Sequence, residues 1–136
     1  MKLITVVAAV IEKQGKFLCV QRGPSALDYI SHKWEFPGGK IEQGETEEEA
    51  LQREIKEELE MEIVVGKKVG TITHQYPDFL LTMHAFHSTS KQEPTLTEHI
   101  AFRWLNIREL EILDWAAADV PIIRILLNES APIPIN

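Results

Sequence analysis

The sequence predicts an α+β sandwich in which a mixed β-sheet lies between helices. Three observations carry the prediction. Runs rich in Val, Ile, Thr and Phe recur along most of the 136 residues, one helical stretch with a strong start signal stands in mid-chain, and another lies near the end. An apolar content of 44% supplies the core of a single domain over residues 1–136.

Leu3 to Ile11 is almost continuously apolar, as in a strand buried on both faces. Lys13-Gln14-Gly15-Lys16 is a turn, and Phe17 to Gln21 returns as a second strand, giving a hairpin. Arg22 ends that strand, and Gly23 to Lys33 reads as a loop. Trp34-Glu35-Phe36 is a short extended piece stopped by Pro37, and Gly38 to Glu45 continues as loop. Thr46 opens a helix through a capping box with Glu49, and the helix should run to about Leu59. Ile63 to Gln75 and Asp78 to Thr89 read as strands about the turn Tyr76-Pro77-Asp78. Lys91 to His99 is a polar loop and Ile100 to Leu105 a further strand. Asn106 and Glu109 form a second capping-box candidate for a short helix. Asp119 is placed to N-cap a last helix through Leu127, with Pro121 in its first turn, and the tail APIPIN should fray.

The formal charge of −7, from 14 basic and 21 acidic residues, argues against a nucleic-acid polymer as partner, which needs a Lys/Arg-rich face. A polyanionic substrate stays compatible if divalent cations bridge carboxylate to phosphate. Cys19 is the only cysteine, so no intramolecular disulfide forms, and its apolar neighbours make it a core residue. The apolar N-terminal stretch is shorter than the roughly 20 residues a membrane span needs and lacks a signal cleavage site. The expectation is a cytoplasmic chain, monomeric or homodimeric, with no membrane association.

The chemistry concentrates in the helix from Thr46. At about 100° per residue, Glu54, Glu57 and Glu58 (i, i+3, i+4) share one face, while Leu51, Ile55 and Leu59 share another. One stripe docks and three carboxylates stand beside it. Carboxylates this close repel one another, and hard oxygen ligands clustered so suit Mg²⁺ or Mn²⁺. The same run also fits a solvated acidic face. Arg53 stands four residues before Glu57 and is placed to pair with it.

Gly39, five residues, Glu45, seven residues, then Arg53-Glu54-Ile55-Lys56-Glu57-Glu58 resembles the signature of the Nudix hydrolases. One position departs: Glu60 stands where the family usually has a glycine that helps the chain leave the helix. The likeness extends to Trp34-Glu35-Phe36-Pro37-Gly38-Gly39-Lys40, Arg22 and the Glu98/Trp104 region, which look like the MutT-type branch, and Trp115 to Pro121 looks like its CTP pyrophosphohydrolase subgroup. The resemblance implies a Nudix-type αβα sandwich around a mixed sheet. It implies that Glu54, Glu57, Glu58, Glu98 and the Gly39 carbonyl bind Mg²⁺ (or Mn²⁺), and that Arg53 and Glu45 orient helix and loop. Water would attack phosphorus of a nucleoside triphosphate, releasing a nucleoside monophosphate and pyrophosphate. Glu54 is the first choice of base and Glu98 the second, with Glu57 a further catalytic candidate.

By the same resemblance Arg22 contacts phosphate, and Phe36, Tyr76, Leu81 and Asp119 wall the base pocket. Asp119 stands where MutT-type members read oxidised guanine with an asparagine, and Phe79 where they use an arginine. An ionised carboxylate only accepts, which favours a base edge with an exocyclic amino group, hence cytosine or adenine over oxidised guanine. Sanitising of oxidised purines, an ADP-ribose substrate (from Pro77, 16 residues beyond Met61) and a binding module without turnover are the alternatives. His74, His84 and His87 read as pocket or surface residues without zinc spacing.

Overall fold

The computed structural model describes residues 1–130, so the tail expected to fray lies outside the described residues. Its strands are β1 (Lys2–Lys13), β2 (Lys16–Gln21), β3 (Trp34–Glu35), β4 (Gly38–Lys40), β5 (Val64–Gln75), β6 (Phe79–Thr89) and β7 (Ala101–Leu105). The helices are α1 (Glu47–Leu59) and α2 (Val120–Ser130), with 3₁₀ turns at Ile107–Ile112 and Ala117–Asp119. The strands form one mixed sheet in the order β3-β2-β1-β6-β5, with β4 added to β1 and β7 to β2. β1 runs parallel to β6, from Lys2 opposite Phe79 to Glu12 opposite Thr89, and the other pairings are antiparallel. This is the αβα sandwich that the element pattern predicts.

β1 is apolar from Val6 to Ile11 because both its faces are covered there. Val7, Ala9 and Ile11 pack with Leu51, Ile55 and Leu59 of α1, whereas Ala8 and Val10 pack with Ile122, Ile123 and Leu126 of α2. Each fully buried Leu or Ile of the α1 stripe contributes about 1.5–3 kcal/mol. That stripe therefore fixes which face of α1 is left for other work. The start of α1 has both bonds of the capping box, Glu49 N–H to Thr46 Oγ1 and Thr46 N–H to Glu49 Oε1. At the other end Glu60 takes the left-handed conformation, φ 51° and ψ 39°, where the family usually has glycine. No helix among the described residues is long and apolar enough to cross a membrane.

Two expectations are corrected. Gly38 to Lys40 is not loop but strand β4, because the backbone of Val6 to Ala8 offers it a free antiparallel edge. Asp119 does not cap α2: its Oδ1 accepts from the Phe36 N–H at 3.1 Å, and Asp119 itself closes the short 3₁₀ turn leading into the helix. Pro121 does lie in the first turn of α2.

Candidate active site

The two glycines before α1 are dictated by close approach. A Cβ on Gly38 would lie 1.9 Å from the Val7 carbonyl oxygen, and one on Gly39 would lie 2.4 Å from the Glu54 carboxylate. Gly39 thus lets a strand backbone press against a helix carboxylate. Arg53 fastens the intervening loop to the helix. Its Nε and Nη2 donate to both oxygens of Glu45 (2.7 and 2.9 Å), Nη2 also donates to the Lys40 carbonyl, and Nη1 reaches Glu54 (3.0 Å) and Glu57 (3.3 Å). The Arg53 bonds, helped by the Glu42 N–H, hold the Glu45 carboxyl below the usual carboxylate range.

Glu58 is the constrained member of the acidic face. It is 8% exposed, and its Oε2 is buried with no hydrogen-bond partner. Burial first, and then the negative charges of Glu54, Glu35 and Glu98, push its carboxyl up to about 9. Glu98 reaches this neighbourhood because its loop caps the end of α1. The Thr95 and Thr97 N–H groups donate to the carbonyls of Leu59 and Glu58, and the Thr97 hydroxyl to those of Glu57 and Glu58. Orphan carbonyls at a helix C-terminus need such donors, so helix geometry itself recruits the loop.

One cavity of about 1120 Å³ gathers most of the predicted residues. Gly39, Glu54, Glu58 and Glu98 line it together with Arg22, Phe36, Tyr76, Leu81 and Asp119. Tyr76 is held by its hydroxyl, which accepts from the Ala118 N–H at 3.1 Å. Phe36 packs on Trp115 with ring centroids 4.8 Å apart. Asp119 is 4% exposed, and burial, followed by the charge on Glu35, pushes its carboxyl well up. The Phe36 N–H and the nearby Arg22 charge act the other way, in favour of the ionised carboxylate.

Glu57 does not join this cavity. Its side chain is turned to solvent and pairs with Arg53, because the docking stripe rotates that position outward. His74, His84 and His87 also stay outside it: His84 meets Thr71, His87 meets Glu12, and His74 edges onto Tyr76. Glu35 and His99 are ionisable cavity residues to which the sequence reading gave no role. His99 Nε2 lies 3.0 Å from Glu35 Oε2, while its Nδ1 is buried without a partner. Glu35 also lies 3.7 Å from Arg22 and acts electrostatically on both Glu58 and Asp119. The available signal was its charge between two aromatics, Trp34 and Phe36.

Among the described residues no three His, Cys, Asp or Glu side chains form a closed metal-ligand set. The donor chemistry nevertheless fits a hard divalent cation. Every side-chain donor is a carboxylate oxygen, one of them is buried and unpartnered, and their mutual repulsion is what a cation relieves. Arg53, bonded to Glu54 and Glu57, accounts for the open arrangement by drawing those two carboxylates toward itself.

Known proteins place this arrangement. The family model described as NUDIX domain matches residues 6–124. The CTP pyrophosphohydrolase of Escherichia coli (strain K12) is 37% identical over 98% of both chains. An 8-oxo-dGTP diphosphatase of Proteus vulgaris is 32% identical over 71% of this chain and 84% of its own. The solution structure of a MutT protein of the Nudix hydrolase family, from methicillin-resistant Staphylococcus aureus 252, is 43% identical and superposes with a TM-score of 0.74. It covers 96% of this chain and 100% of its own. With the domain match, the sheet topology and the glutamate helix in agreement, this chain belongs to the Nudix family and is a Nudix hydrolase acting on a phosphoric anhydride bond.

Proposed function

We propose that the chain is an Mg²⁺-dependent nucleoside triphosphate pyrophosphohydrolase that favours cytosine nucleotides, with Mn²⁺ as a competent substitute. Nudix hydrolases act on nucleotides with divalent metal ions, and the proposal specifies both. The observation that carries it is the single cavity shared by Glu54, Glu58 and Glu98 with Phe36, Tyr76, Leu81 and Asp119. Glu54, Glu58, Glu98 and the Gly39 carbonyl would hold the cation, which when bound neutralises the triphosphate and polarises the bond to be cut.

The chain's own groups do the rest. Arg22 pairs with a phosphate oxygen. Water attacks phosphorus, and the P–O bond to pyrophosphate breaks. Glu54, aimed by Arg53 and pressed against Gly39, takes the proton, with Glu98 as the second candidate. Glu57, on the rim, acts through Arg53. Tyr76, Phe36 and Leu81 enclose the base. Asp119, an acceptor in its bond from the Phe36 N–H, matches the exocyclic amino group of cytosine.

Pyrophosphate release from a nucleotide panel with Mg²⁺ tests the reading. CTP and dCTP should be turned over fastest, and no pyrophosphate from any nucleotide would overturn it. Asp119→Ala should cut the preference for CTP by about tenfold or more, and an unchanged preference refutes the base readout. The likeness to an 8-oxo-dGTP diphosphatase supports a second reading, sanitising of oxidised purines, which fastest turnover of 8-oxo-dGTP would select.

A further inference from the structure

The loop between β2 and β3 is closed at its base. The Arg22 N–H donates to the Lys33 carbonyl at 2.9 Å, and the His32 N–H to the Gly23 carbonyl at 3.3 Å. Pro24, Ser25 and Ile30 of this loop line the cavity. The loop also carries Tyr29, half-buried, which reaches across to the β5–β6 turn. Its ring stacks on Tyr76 with centroids 5.2 Å apart and planes 18° apart, and it meets Phe79 at 6.5 Å. Its hydroxyl donates to Asp78 Oδ2. Tyr76 and Phe79 pack on each other at 5.0 Å, and both line the cavity, whereas Tyr29 does not.

We infer that Tyr29 and Asp78 form a latch that ties the Gly23–Lys33 loop to the β5–β6 turn and so holds the aromatic wall of the cavity in position for a nucleobase. The inference rests on the nucleotide reading proposed above and assigns Tyr29 as a positioning residue within it. Tyr76 is fixed at two points that differ in kind. Its hydroxyl is fastened to the buried Ala118 N–H, while its ring is backed by Tyr29 from a loop some 50 residues away in sequence. A phenol–carboxylate hydrogen bond is charge-assisted, so the latch is the stronger of the contacts at this exposed edge. A wall ordered before binding spares the entropy of ordering two rings when the base arrives. The triphosphate, facing Arg22 and the glutamates, gains nothing from it. The effect therefore belongs to substrates that carry a base, and to KM.

The experiment compares KM and kcat for the nucleotide turned over fastest with those for ribose 5-triphosphate, which has the phosphates and no base. The proteins are wild type, Tyr29→Phe, Asp78→Asn, the double variant and Tyr29→Ala, all with Mg²⁺. Tyr29→Phe and Asp78→Asn should each raise the nucleotide KM about 3- to 10-fold, with kcat changed by less than about twofold. The double variant should be no worse than either single one, because one interaction is removed by either route. Tyr29→Ala should raise KM further, and ribose 5-triphosphate should be turned over alike by all five. Tyr29→Phe deletes one oxygen and should keep the fold, as its melting temperature would report, so the test survives even if Tyr29→Ala unfolds. An unchanged nucleotide KM in Tyr29→Phe and Asp78→Asn, additive effects in the double variant, or equal losses on both substrates would overturn the latch. A wild-type protein inert toward every nucleotide would instead sink the functional reading, and the latch with it.

Discussion

Glu58 pays a folding cost that a cation would remove, and replacing it with Gln tests both halves of that statement. The carboxyl is 8% exposed, has one unpartnered oxygen, and is pushed up to about 9 from an ordinary 4.5 by burial and by Glu54, Glu35 and Glu98. Its folded value lies above its unfolded one, so its contribution to stability is fully present below about pH 4.5 and is lost as pH rises toward about 9. At pH 7.5, inside that window, the loss is on the order of a few kcal/mol. Glutamine does not titrate, but it leaves an imperfectly bonded amide that costs about 1–3 kcal/mol. Glu58→Gln should therefore be about 1–3 kcal/mol more stable than wild type at pH 7.5 in EDTA, a rise in Tm of about 3–12 °C. The gain should vanish near pH 5. Added Mg²⁺ should raise the wild-type Tm and leave that of the variant nearly unchanged, while turnover falls about 100-fold or more. Thermal unfolding across pH 5–9, with EDTA and with Mg²⁺, reads all of this. A variant less stable than wild type at pH 7.5 in EDTA, or stabilised by Mg²⁺ as much as wild type, would refute the reasoning.

Gly39→Ala pushes a methyl against the flexible Glu54 carboxylate, so turnover should fall about 10- to 100-fold with Tm within a few degrees of wild type. Gly38→Ala meets rigid Val7 backbone instead and should lose about 3 kcal/mol or more by urea unfolding, as the β1–β4 pairing is forced open. Glu60→Gly removes a side chain from a left-handed position and should stabilise the fold by about 0.5–1 kcal/mol, the unfolded-state entropy of glycine offsetting part of the gain. A Tm lower than wild type would show that Glu60 makes contacts that outweigh its strain.

Much of the fold was legible because its signals are local. The Thr46 and Asn106 capping boxes, the Gln14-Gly15 turn and the Leu51/Ile55/Leu59 stripe each lie within a few residues, and each takes the form its pattern predicts. The acidic face was legible for the same reason, since helix periodicity alone puts Glu54 and Glu58 on one side. The errors fall where a distant partner outbids a local one. Asp119 had a local use as a helix cap, but the unpaired Phe36 N–H, 83 positions away, claims its carboxylate instead. Gly38 to Lys40 had loop composition, but an open strand edge made it a strand.

By itself, then, the sequence determined the two helices and the long strands, which face of α1 docks and which carboxylates stand beside it. Those properties follow from periodicity and from hydrogen bonds between near neighbours. Only the tertiary structure decided how the pieces meet in one cavity: Glu35 beside His99 across 64 positions, Tyr29 beside Asp78 across 49, and the Glu98 loop bound to the end of α1. Pairings like these are set when the sheet closes and distant backbone donors find acceptors, a condition on the whole chain that no short stretch of sequence carries.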